Sequence, residues 1–236
     1  MGIEKWDLVL AKKIINNHQS NTFKSFVTVA ERGYGKSVYN LKSVAKAAYE
    51  LFGLDEEEAW KYAFDCMIFQ PEQFIKKVEY NMMHDKVDMA WILDDAAVHF
   101  NKYLFFANVH LASAVMSVFD TIRVVVNNLL INTATTNHLF SALNDYDDVR
   151  IQLYKIPGNN NYRRKAVAIN FFSLPDGKQK YRKIFEDHFS CYAPNWFYKE
   201  IYMPVRKRYL KESLKKMKEL REKLEKKKKS KEEVEI

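Results

Sequence analysis

Apolar residues recur along the chain in blocks whose spacing alternates between helical and extended periods. Trp6, Leu8, Val9, Leu10, Ile14 and Ile15 give Lys5–Asn17 an apolar side, predicting a short amphipathic helix that ends in the polar run Asn16 to Asn21. Phe23, Phe26, Val27 and Val29 are aromatic or β-branched and predict a strand. The loop Glu31-Arg32-Gly33-Tyr34-Gly35 follows it, and Ser37–Phe52 then reads as a helix closed by Gly53.

Asp55 to Glu58 form the acidic first turn of a further helix, and Pro71-Glu72 open another that runs to Tyr80, with a short apolar piece, Cys66 to Phe69, between them. Val87–Leu93 is apolar apart from Asp88, the pattern of a strand buried on both faces of a parallel sheet, and it ends at Asp94-Asp95. A helical stretch, Lys102–Val126, leads to a third core strand, Leu129 to Ile131, with a polar tip from Asn132 to Asn137. Alternating strands and helices predict an α/β fold with a mainly parallel sheet.

Val149–Ile156 and Lys165–Phe172 alternate in β-rich residues and flank the turn Pro157 to Asn161, predicting an antiparallel hairpin appended to the sheet. Gln179–Phe189 reads as helical, with Tyr181, Ile184, Phe185 and His188 on one side. From Val205 a helix carrying Tyr209, Leu210, Leu214, Met217, Leu220 and Leu224 runs out into Lys226 to Lys229. No internal repeat is present.

The length of 236 residues suits one well-buried domain with an appendage: residues 1–203 as the core unit and 204–236 as a basic helical tail. No apolar run approaches the ~18 residues of a membrane helix. The N-terminus lacks the basic and apolar pattern of a secretion signal, so a cytoplasmic location is expected. Cys66 and Cys191 have no Cys or His companions at metal-ligand spacing and read as ordinary buried thiols.

The net charge of +8 suggests nucleic acid until it is located. Pro204–Ile236 holds 14 of the 38 Lys and Arg but only 7 of the 30 Asp and Glu, which leaves residues 1–203 nearly neutral at 24 against 23. The tail's Glu residues at 212, 219, 222 and 225 lie among its lysines as in a solvated helix with i,i+4 pairs, so phosphate tracking and a plain solvated helix stay open as readings. Arg163-Arg164-Lys165, with Tyr154 and Tyr162 nearby, likewise reads either as a nucleic-acid contact or as a solvated charged turn.

Ala30-Glu31-Arg32-Gly33-Tyr34-Gly35-Lys36-Ser37 resembles the Walker A motif of P-loop NTPases, GxxxxGK followed by Ser or Thr, with Ala30 in place of the first glycine. A phosphate loop needs backbone N–H groups converging on the anion, glycines that tolerate unusual backbone angles, and a helix N-terminus behind it. The resemblance implies a nucleotide-binding segment of Arg32, Gly33, Tyr34, Gly35, Lys36, Ser37 and Val38. In it Lys36 reaches the β- and γ-phosphates and Ser37 ligates Mg²⁺.

Met89-Ala90-Trp91-Ile92-Leu93-Asp94-Asp95 resembles a Walker B motif. By that resemblance Asp94 holds Mg²⁺ through its water shell, and Asp95 polarises the attacking water where many relatives carry Glu. An extra strand at Cys66–Phe69 would resemble the ASCE division, which includes AAA-type ATPases, helicase loaders and HerA/FtsK-type DNA translocases. In that division a polar residue at the tip of the next strand senses the γ-phosphate: Thr133, Thr135 or Asn137 is available, and Thr135 is the first choice.

No NKxD motif is apparent, so ATP is expected rather than GTP. Arg123, Arg150, Arg163, Arg164, Arg206 and Arg208 are all available as an arginine finger, and the sequence does not choose among them. His99 and His110 lack i,i+4 partners and read as ordinary helix histidines. The resemblance covers Phe23 to Asn137. It implies a Mg²⁺-dependent ATPase acting on DNA, as in HerA/FtsK-type ATPases of archaeal plasmids and viruses, and a homo-oligomer in which a ring is possible. A helicase-loader or initiator-like switch, a small-molecule kinase and a non-enzymatic scaffold are the alternatives.

Overall fold

The computed structural model describes residues 2–96, 117–119, 121–135, 149–158, 163–173, 179–212, 214, 215 and 218. Much of the expected helix Lys102–Val126, the residues His99, His110, Thr136, Asn137 and Tyr162, and the lysine run at 226–229 lie outside them. The chain divides into two compact units, Met1–Tyr192 and Ala193–Ile236.

The first unit is a mixed α/β structure built on a seven-stranded sheet of order β2-β3-β4-β1-β5-β6-β7. The strands are β1 (Lys24–Val29), β2 (Met67–Ile68), β3 (Trp91–Leu93), β4 (Asn128–Thr133), β5 (Val149–Lys155), β6 (Arg163–Ser173) and β7 (Gln179–Ser190). β2, β3, β4, β1 and β5 are mutually parallel. β6 and β7 extend the sheet in antiparallel fashion. The helices are α1 (Val9–Gln19), α2 (Lys36–Phe52), α3 (Glu56–Asp65) and α4 (Pro71–Met83).

β4 is buried at every position, the signature of a central parallel strand covered on both faces. On one face Val27, Trp91, Leu93, Leu129 and Ile131 pack with Phe74 and Val78 of α4 and with Phe119, Ile122 and Val125. On the other, Thr28 and Asn132 meet Asn40 of α2, and Asn128 bonds the Ile14 carbonyl of α1. Helices therefore cover both faces, giving the three layers that the alternating pattern predicts.

Local chemistry sets the helix ends. Asp55 and Glu58 form a reciprocal capping box on α3, Pro71 opens α4, and Gly53 closes α2 in the left-handed conformation at φ 66°. Leu8 offers α1 no cap. Asp187, delivered by β7, accepts from the Val9 and Leu10 N–H groups at 2.7 and 3.2 Å and from the Tyr39 hydroxyl at 2.7 Å.

Two expectations are corrected. Gln179–Phe189 is strand β7, not a helix. Phe185, Asp187 and Phe189 are buried in strict alternation with partly or fully exposed Ile184, Glu186 and His188, and this period of two prevails over the helical grouping of Tyr181, Ile184, Phe185 and His188. The expected strand Val87–Leu93 is regular only over Trp91–Leu93, with one isolated bridge between Asp88 and Val126 ahead of it. The expected antiparallel hairpin is β5–β6, and it joins the sheet through the parallel pairing of β5 with β1.

In the second unit residues 195–212 are helical, with a π-helical stretch Phe197–Tyr202 just ahead of Pro204. Proline lacks the N–H that would continue the ladder, and a wider turn accommodates that loss. The helix thus begins nearly three turns before the predicted start at Val205.

Candidate functional site

Because the five parallel strands point the same way, the C-terminal ends of β1, β3, β4 and β5 share one edge of the sheet. The strand order reverses beside β1, whose neighbours are β4 and β5, and ligands in open α/β sheets bind at such a reversal. Ala30 to Gly35 link β1 to α2 there. Gly33 and Gly35 adopt φ 80° and 91°, the left-handed region that glycine enters without strain. Gly35 is the N-cap of α2 and supplies no side-chain cap to the first N–H groups of the helix.

Lys36 is buried, and its ammonium donates to the Ala30 and Glu31 carbonyls at 2.7 and 3.0 Å. Burial pulls its pKa below the usual lysine value, the Asp95 and Asp94 carboxylates oppose the fall, and Arg32 adds to it. The lysine thus holds the loop to itself through neutral carbonyls rather than through an ion pair. Arg32 and Gly33 are exposed, while Tyr34, Ser37 and Val38 are half-buried.

Ser37 Oγ donates to Asp94 Oδ1 at 2.6 Å, joining the first turn of α2 to the end of β3. Asp94 is fully buried and also accepts from Asn132 Nδ2 at 2.9 Å. Asn132 Oδ1 accepts from Asn40 Nδ2 at 2.7 Å, and Asn40 Oδ1 accepts from the Thr28 hydroxyl at 3.2 Å. A polar chain therefore runs from the core under α2 to the carboxylate. Asp95, half-buried, sits at φ 48°, a conformation rare for any residue with a side chain and commoner for Asp and Asn.

Thr135, the first-choice sensor, lies beyond the end of β4, where its carbonyl accepts from the Thr133 hydroxyl at 2.6 Å. The β4 residue that reaches Asp94 is Asn132, which the sequence reading placed at the start of the polar tip and did not single out. Its signal was an asparagine directly after Leu129-Leu130-Ile131, a costly residue to bury in a central strand.

Asp94 with Ser37 supplies one anionic and one neutral hard oxygen, and Asp95 follows directly. Among the described residues no group of three or more His, Cys, Asp or Glu could hold a metal alone. This donor set fits Mg²⁺, which takes one or two protein oxygens, keeps several waters and shares phosphate oxygens.

On the other side of the loop, Cys191 Sγ lies 3.6 Å from the Tyr34 carbonyl, and a Cβ at position 35 would overlap that sulfur. Burial pushes the Cys191 thiol up, opposed by the Arg164 and Lys42 cations. Lys155 places its ammonium 4.8 Å from the Tyr34 ring centre. The trio Arg163-Arg164-Lys165 does not act as one patch: Arg163 is exposed, Arg164 is buried, and Lys165 pairs with Glu186 at 2.9 Å.

No family model matches the sequence. The chain is similar to "Uncharacterized protein B-251" of Sulfolobus spindle-shape virus 1, with 28% identity over 219 residues that span 90% of this chain and 85% of that one. Among the described residues no helix is long and apolar enough to cross a membrane.

Proposed function

We propose that this protein is a Mg²⁺-dependent P-loop ATPase of the ASCE type that acts on DNA. The observation that carries the reading is the Ser37–Asp94 hydrogen bond of 2.6 Å, which brings together two motifs 57 positions apart in the sequence. Two unrelated chance motifs have no reason to meet at one edge of a sheet. The strand β2 between the motifs in sequence, and β4 between β1 and β3 in space, also fit the resemblance.

In this reading the N–H groups of Gly33 to Val38 and the N-terminus of α2 receive the phosphates. Lys36 exchanges the Ala30 and Glu31 carbonyls for phosphate oxygens, which form stronger, charge-assisted bonds. Ser37 and Asp94 hold Mg²⁺, which when bound neutralises phosphate charge. Asn132 keeps Asp94 oriented, and Asp95 accepts a hydrogen bond from the attacking water.

The DNA part of the reading rests on the far end of β6 and β7. Phe171, Phe172 and Tyr181 are exposed there beside exposed Lys180 and Arg182, and Arg150 covers the Phe171 ring at 4.8 Å. Aromatic faces interleaved with cations are the chemistry of single-strand contact.

Equilibrium binding of ATP to the wild type and to Lys36→Ala, with and without magnesium, tests the assignment. The reading expects binding that Lys36→Ala weakens by about 100-fold or more, the loss of several charge-assisted hydrogen bonds. Equal affinities would overturn it.

A further inference from the structure

Arg164 is a buried cation with no counter-ion among the described residues. It is 6% exposed, and its Nη1 donates to the neighbouring Arg163 carbonyl at 2.9 Å. Its Nε has no acceptor, and among the described residues no carboxylate lies within ion-pair distance of the guanidinium. Burying a charge in this way opposes folding unless an anion arrives to offset it.

The sheet register fixes where that anion would be. Arg164 pairs across β5 with Lys155 and across β7 with Phe189, and side chains of residues paired in this way share a face. Both neighbours touch the loop. The Lys155 ammonium covers the Tyr34 ring, and the Phe189 ring lies 3.7 Å from where a Cβ on Gly35 would stand. Phe189 also packs on Tyr39 of α2 with ring centres 4.7 Å apart. Moving along β6, the next residue on this face is Ala166, also buried, and it offers no charge.

From this placement we propose that Arg164, presented by β6 of the same chain, is a phosphate-binding residue of the nucleotide site, contacting the bound nucleotide from the side of the loop opposite Asp94. The proposal rests on the ATPase reading and adds to it a residue outside both motifs. The planar guanidinium offers Nε and an Nη to one phosphate group as a two-pronged donor, an arrangement lysine cannot copy. No carboxylate of the described residues offsets the buried charge at ion-pair distance, so a bound nucleotide would remove a cost that they leave in place.

The test is ATP affinity, by titration calorimetry, for wild type, Lys36→Ala, Arg164→Met and Arg164→Lys, together with thermal midpoints with and without ATP. Arg164→Met is expected to weaken ATP binding by about 10- to 100-fold, Arg164→Lys by less, and the midpoint of apo Arg164→Met to equal or exceed that of wild type. If wild type binds ATP, Lys36→Ala does not and Arg164→Met binds like wild type, the inference falls and the ATPase reading survives. If wild type itself binds no ATP, both fall. A lower apo midpoint for Arg164→Met with an unchanged ATP-induced rise, or failure of both Arg164 variants to fold, marks the guanidinium as a structural strut and overturns the proposal.

Discussion

Ser37 and Asp94 are joined by a hydrogen bond of 2.6 Å, and the second donor to that same carboxylate oxygen, at 2.9 Å, is Asn132. One oxygen thus ties the start of α2 to the ends of β3 and β4. Since Asn132 also accepts from Asn40, its amide uses both its donor and its acceptor side inside the core.

Asn132→Ala removes both contacts while Asp94 and Asn40 stay buried. Leaving such groups unsatisfied costs roughly 1–3 kcal/mol. Urea unfolding should show that loss, and in the proposed ATPase the turnover rate should fall more than ATP affinity, because the carboxylate is misoriented. A stability change under about 0.5 kcal/mol, the range of ordinary surface substitutions, would contradict the chain of contacts described here.

Gly35 carries two constraints that can be separated. Its φ of 91° disfavours any side chain, and a Cβ would overlap Cys191 Sγ. Gly35→Ala should therefore destabilise the protein by about 1–3 kcal/mol from backbone strain alone, with the steric clash added. Cys191→Ala in the same chain should recover the steric part only. Strict additivity of the two substitutions in a double-mutant cycle would show that the sulfur and the loop are not in contact.

Lys42 predicts a pH dependence. It is 5% exposed, its ammonium lies 4.7 Å from the Trp6 ring centre, and burial, opposed by Cys191 and Glu56, pushes its pKa from 10.5 down to about 8. Because the folded value is depressed, the unfolded chain binds more protons between pH 8 and 10.5, and this lysine's contribution to stability rises with pH across that window. Below pH 8 the cost of the buried charge is fully present. Lys42→Met should raise stability at pH 7 by about 1–3 kcal/mol and flatten the rise above pH 8. An unchanged pH profile in guanidinium unfolding would refute the assignment.

The parallel core was legible because its signals are local. Apolar runs such as Leu129 to Ile131 mark central strands, and glycines at 33 and 35 mark a loop that needs positive φ. β7 was not legible, since aromatic residues at 181 and 185 satisfy a spacing of four as readily as one of two. Pairing along β6, with the docking of Asp187 onto α1 and of Phe189 onto Tyr39, selects the strand. Asn132 was missed as a site residue, and Arg164 was only one of six candidate arginine fingers, for a related reason. Each is an ordinary polar residue until the register of β4 or β6 sets it beside the loop edge. Their burial beside charged or polar neighbours is a property of the fold and not of any short motif.

ATP hydrolysis by the purified protein tests the central claim most directly, measured for wild type and Lys36→Ala with and without magnesium, and with and without single- and double-stranded DNA at one stated salt concentration. The account predicts magnesium-dependent hydrolysis by wild type that DNA accelerates, and none above background by Lys36→Ala. Hydrolysis that Lys36→Ala retains, or a wild type that neither binds nor hydrolyses ATP, would contradict it.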